Sequence, residues 1–147
     1  MRAIVQRVSS ASVVDKSDGS VASIGPGFLL LVGVHREDSE AQAKKLAEKI
    51  ANLRIFNDEN GKMNIALQDM EAHDVLAVSN FTVYGDTRKS RRPSFVESAS
   101  FDHGRAIFDN FVESLRTYGF RVPTGVFGAD MAVTLVNEGP VTLIVDV

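Results

Sequence analysis

Two runs rich in β-branched residues, Met131 to Val136 and Val141 to Val147, close the chain, and Asn137, Glu138, Gly139 and Pro140 separate them. Runs of this composition read as strands and the residues between them as their connection. A Gly-Pro bond is one of the few that a folded chain holds cis at small cost. A bend of that kind turns main-chain carbonyls outward, where they line a pocket that side chains do not fill. The plainer reading is a hairpin turn punctuated by Gly and Pro. Both readings make the end of the chain part of a sheet.

With 147 residues the chain suits a single domain, residues 1–147, with one hydrophobic core. Its apolar fraction of 44% and charged fraction of 24% are those of an ordinary globular protein, and no apolar run approaches a membrane span. Arg2 is followed by strand-like alternation, not by the apolar core of a signal peptide. There are no cysteines, which excludes disulfides, thiolate catalysis and cysteine-ligated metals and fits a cytoplasmic setting. A net charge of −3 argues against binding nucleic acid through a general positive field, so any RNA contact must be local and no DNA or membrane partner is expected. The dense basic run is Arg88, Lys89, Arg91, Arg92. It reads either as a solvated loop or as a loop that meets phosphates.

Taken in order, Ala3 to Val8, Ser12 to Val14 and Val21 to Ile24 read as strands, and Phe28 to Val34 as a strand covered on both faces. Ser39 with Gln42 makes a capping box for a helix whose stripe is Ala43, Leu46, Ala47, Ile50 and Leu53. Arg54 to Phe56 reads as a short strand, and Asn57 to Lys62 as a polar turn without the ligand alternation of a calcium loop. Val75 to Val83 reads as the central strand. A regular strand cannot point Ser79, Asn80, Phe81 and Thr82 into one pocket; only a bend or strand end there would bring them together. A second helix runs from about Phe101 to Tyr118 and stops at Gly119. Phe127 and Met131 read as core residues. The fold class is α+β: mostly antiparallel strands with two main helices.

His35, His73 and His103 belong to no metal-binding spacing, and no nucleophile elbow or phosphate-cradling glycine loop is present. An enzyme built this way relies on positioning and on an activated substrate. Val78 to Gly85, with Ser79, Asn80, Phe81 and Thr82, together with Asn137, Gly139, Pro140 and Thr142, resembles the D-aminoacyl-tRNA deacylase family. That family carries a Ser-Gln-Phe-Thr strand and an Asn-x-Gly-Pro-x-Thr loop. The resemblance runs the length of the chain, through Ile4 to Val8, Arg54 to Phe56, Gly61 to Asn64, Arg92 to Phe95 and Thr124 to Met131. Asn80 departs from the family's Gln and is one methylene shorter.

The resemblance implies a barrel-like sheet and hydrolysis, without cofactor or metal, of the ester joining a D-amino acid to tRNA, with glycine mischarged on tRNA(Ala) as a further substrate. It implies a homodimer in which Gly139 and Pro140 of one subunit act as a chiral filter in the pocket of the other, supported by Arg7. Phe127 and Met131 would wall the adenosine or the pocket. Backbone N–H groups near Phe81 and Thr82 would face the oxyanion, with Ser79 and Asn80 beside them and the Thr82 hydroxyl positioning. Two alternatives stay open: a chirality-relaxed relative with a trans Gly-Pro bond that acts on L-Ala-tRNA(Thr), and a non-catalytic module that binds tRNA ends through the Arg88 to Arg92 loop.

Overall fold

The computed structural model describes residues 1–70, 74–89 and 91–147. His73 lies outside the described residues. The chain begins with one long strand, β1 (Arg2–Asp15), where the sequence suggested two segments; exposed Ser9 and Ser10 interrupt the apolar pattern but not the strand. One edge of β1 pairs antiparallel with β2 (Val21–Ile24) and β3 (Gly27–Gly33). The other edge pairs along its length with β7 (Met131–Asp146), with irregularities around Val8. Long strands with such bulges bend and coil. Together with β6 (Asp74–Ser79), parallel to β3, they make one curled mixed sheet, a half-barrel.

β7 corrects one expectation. The chain does not reverse at Asn137 to Thr142, because both halves of β7 run antiparallel to β1, Met131 opposite Asp15 and Asp146 opposite Arg2. The Gly-Pro segment is a bulge inside a continuous strand and not a hairpin turn. Its cause is the mismatch in register: Gln6 faces Thr142 and Val8 faces Asn137, so the extra residues of β7 have to leave the ladder.

The near-continuous apolar run of β3 is explained by burial on both faces. Phe28, Leu30 and Val32 belong to a core shared with the two helices, α1 (Glu40–Ala51) and α2 (Phe101–Arg116), while Leu29 packs with Val8, Val13, Leu76 and Val78 on the opposite face. The Ser39–Gln42 capping box forms in both directions and starts α1. α2 buries Ile107, Phe108, Phe111, Val112 and Leu115 as one stripe. Phe111 is fully buried, so Phe111→Ala is expected to cost about 3–5 kcal/mol of stability, read as a shift in denaturant midpoint. A small second sheet, β4 (Arg54–Asn57) with β5 (Met63–Ala66), flanks the core.

Candidate active site

β6 ends where the sequence placed a bend, although as a strand it stops at Ser79 and not at Val83. Asn80 stops it. Its backbone stays extended while its side-chain oxygen accepts the Thr82 N–H at 3.2 Å, capping a single 3-10 turn, Phe81–Tyr84. Its own N–H donates to the Val32 carbonyl at 2.8 Å, which ties the turn to the sheet. A short Asn side chain is suited to such a local cap, since its amide mimics a backbone carbonyl two residues back. The Thr82 hydroxyl also donates to the Asn80 amide oxygen. The hydroxyl proton therefore rests on an amide and not on a base.

This turn forms one wall of a cavity of about 560 Å³. Ser79, Asn80, Phe81, Thr82, Phe127 and Met131 all line it, so the structure brings together six of the residues selected from sequence. Phe127 is held by Phe101, edge to face at 5.3 Å between centroids, and by Phe108 at 5.9 Å. The cavity is mostly apolar. The acidic residue that lines it among the described residues, Asp130, is paired with Lys16 at 3.0 Å and is mostly exposed. Sequence reading missed Phe101, Gly104 and Asp130 as lining residues, because only the packing of α2 against the segment before β7 puts them there.

Arg7, Gly139 and Pro140 do not line this cavity. They form a second cluster at the bulge of β7. Arg7 is 8% exposed; its Nε donates to the Glu138 carbonyl at 3.2 Å and its Nη1 to the Ile55 carbonyl at 2.6 Å. The guanidinium thus meets main-chain carbonyls, as five fixed donors suit. The Gly139–Pro140 bond is cis, and Gly139 has φ +115°, with Arg7 Nη2 only 2.5 Å from where a Cβ would stand. Asn137 Nδ2 donates to Thr142 Oγ1 at 3.0 Å across the base of the bulge. Gly139 and Pro140 themselves are exposed.

The basic run is less free than its sequence suggests. Asp86, two residues upstream of Arg88, holds it by two bonds of 2.9 Å, and that hydrogen bonding pulls the Asp86 carboxyl down to about 2. Lys89 and Arg91 are exposed. None of the described histidines reaches the cavity: His35 pairs with Glu97, and His103 Nε2 meets the Asp38 carbonyl. Among the described residues no group of His, Asp and Glu is placed to hold a metal ion. No described helix is long and apolar enough to cross a membrane.

Comparison with known proteins places this geometry. Residues 4–146 match the family model described as D-Tyr-tRNA(Tyr) deacylase. The chain is 55% identical over 147 residues to the D-aminoacyl-tRNA deacylase of Thermomicrobium roseum, covering 99% of this chain and 94% of that one. It is 51% identical over 146 residues to that of Thermosipho africanus, covering 99% and 97%. A solved structure named c-Myc DNA Unwinding Element Binding Protein is 34% identical, with a TM-score of 0.90 and coverage of 100% and 99%. A probable eukaryotic D-amino acid tRNA deacylase, 17% identical, shares the fold at a TM-score of 0.85 over 99% and 98%. The family model and the two curated relatives define an enzyme, an ester hydrolase. The chain belongs to the D-aminoacyl-tRNA deacylase family.

Proposed function

We propose that this protein hydrolyses the ester between a D-amino acid and the terminal adenosine of tRNA, and likewise removes glycine mischarged on tRNA(Ala), releasing free tRNA in the cytoplasm. The observation that carries this reading is a division of the site into two incomplete halves. Gly139 and Pro140 do not line the cavity of Ser79 to Thr82, and their bulge stands exposed outside it.

A two-fold dimer would bring the bulge of each subunit to the cavity of the other. The outer edge of β7 supports this, since among the described residues β7 pairs with β1 alone, and β7 exposes Val136 and Ile144 at 55% and 68%. In the assembled site the carbonyls of Gly139 and Pro140 receive the α-ammonium of the amino acid and crowd out an L side chain. Main-chain groups read the amino acid's own backbone and ignore which side chain it carries. Phe127 and Met131 wall the adenosine. With the Thr82 N–H committed to Asn80, the Phe81 N–H is the donor for the oxyanion. Water attacks the ester, assisted by the 2′-hydroxyl of the RNA. Lys89 and Arg91, with Arg88 and Arg92 in the same loop, meet backbone phosphates.

The test is release of amino acid from matched D-Tyr-tRNA, L-Tyr-tRNA and L-Ala-tRNA(Thr) by the purified protein. Cleavage of the D ester alone is expected. Cleavage that includes the L-Ala ester would make this the chirality-relaxed relative, and tRNA binding without any cleavage would make it a binding module. Thr82→Ala is expected to slow D-ester cleavage by about tenfold, the scale of one positioning hydrogen bond. Complete loss with an unchanged melting curve would make Thr82 a nucleophile instead.

A further inference from the structure

The cavity wall continues beyond the catalytic turn. The Phe81 ring is 58% exposed and meets Phe95, itself 37% exposed, edge to face at 5.0 Å between centroids. Two rings held together at the surface leave aromatic faces in water, open to a stacking partner. The pair is braced. Ser98 Oγ donates to the Phe81 carbonyl at 3.0 Å, and the Ser98 N–H donates to the Phe95 carbonyl at 3.0 Å. Gly85 sits against the Phe95 ring, where a Cβ would stand 2.9 Å from Cε1. Next to Phe95 in the chain, Ser94 exchanges backbone bonds of 2.8 and 2.9 Å with Asp86 at the base of the loop that carries Lys89 and Arg91. The rings therefore join the cavity, which Phe81 lines, to the base of the loop that carries the cations.

We propose that Phe81 and Phe95 form a stacking platform for the unpaired nucleotide that precedes the terminal adenosine of the substrate, with its phosphates directed to Lys89 and Arg91. The proposal rests on the function read above, since it takes the ester-linked adenosine to occupy the cavity. Charge complementarity selects the occupant. In a chain of net charge −3, cations gathered beside exposed rings suit a single strand that offers both base faces and phosphates. Stacking also fits an enzyme that must accept many tRNAs, because every base has a face to offer.

The test compares D-Tyr-tRNA with the D-tyrosyl ester of adenosine, which lacks the preceding nucleotides. Phe95→Leu is expected to raise KM for the tRNA about tenfold, to leave kcat unchanged, and to leave cleavage of the adenosine ester unaltered. Phe95→Tyr is expected to restore the tRNA KM. Equal loss on both esters, or no change on the tRNA, would overturn the proposal. So would a fall in the molecular mass of Phe95→Leu in solution, which would make the rings an interface between copies. A second measurement needs no variant: 4-thiouridine in place of the nucleotide before the terminal adenosine should photocrosslink to a peptide containing Phe81 or Phe95. Crosslinking elsewhere, by a wild-type protein that cleaves both esters, overturns the platform and leaves the function standing. Wild-type protein that cleaves neither ester overturns the function and the platform together.

Discussion

Gly139→Val is expected to lower the single-turnover rate on D-Tyr-tRNA by at least about a hundredfold, equivalent to roughly 2.7 kcal/mol of transition-state stabilisation. The effect begins within one subunit. At φ +115° a β-branched residue is strained, at about 1–3 kcal/mol, whatever space surrounds it. There is also no space: the new Cβ would stand 2.5 Å from Arg7 Nη2 and 3.0 Å from Val141 Cγ2. Either Arg7 withdraws and the Glu138 carbonyl loses its donor, or the bulge swings away from Arg7. In both cases the carbonyls that would receive the α-ammonium lose their position. The geometry thus makes the substitution act through Arg7. Gly139→Ala should therefore already impair cleavage, because the clash arises at the first carbon. Wild-type rates in Gly139→Val, with a normal melting curve, would remove the bulge from the site.

The parts of the fold that were legible in the sequence are those fixed by local pattern. The capping box of α1, the stripe of α2 and the two-faced apolar run of β3 each carry their signal within a dozen or so residues. The break at Ser79 was legible for a different reason: the family resemblance puts all four neighbours at one site, which one face of a regular strand cannot do. β5 was not legible, because Met63 and Asn64 are exposed and no alternation marks them as strand. The continuity of β7 was hidden by its own punctuation. Gly and Pro read as a turn until the register with β1 is known, and that register joins residues more than a hundred positions apart. Asp86 is not legible as the partner of Arg88 because it stands outside the run of cations. The separation of the site into cavity and bulge was likewise beyond local pattern, although the family resemblance implied that they come from different subunits.

Arg7→Met is expected to lower stability and to relax chirality together. Methionine retains much of the apolar stem that Arg7 buries within β1, so the packing loss is small. What is lost is the fork. The Ile55 carbonyl and the Glu138 carbonyl lose donors at 2.6 and 3.2 Å, and an unsatisfied carbonyl costs about 1–3 kcal/mol to the extent that it is buried. At roughly 2–4 °C per kcal/mol for a chain of this size, the melting temperature should fall by about 5–10 °C. The two carbonyls belong to different elements, β4 and the bulge of β7, so Arg7 fixes the distance between them. Without it the bulge keeps its sequence but not its place, and the ratio of D-Tyr-tRNA to L-Tyr-tRNA cleavage should fall by about tenfold or more, the scale of one charge-assisted hydrogen bond. Arg7→Lys separates the charge from the geometry. An ammonium restores the positive charge but does not span both carbonyls as a planar fork does. It should recover part of the stability and little of the D/L ratio. A variant that melts lower yet discriminates D from L as the wild type does would make Arg7 a brace for β4 alone, and the chiral filter would then stand on Gly139 and Pro140 without it.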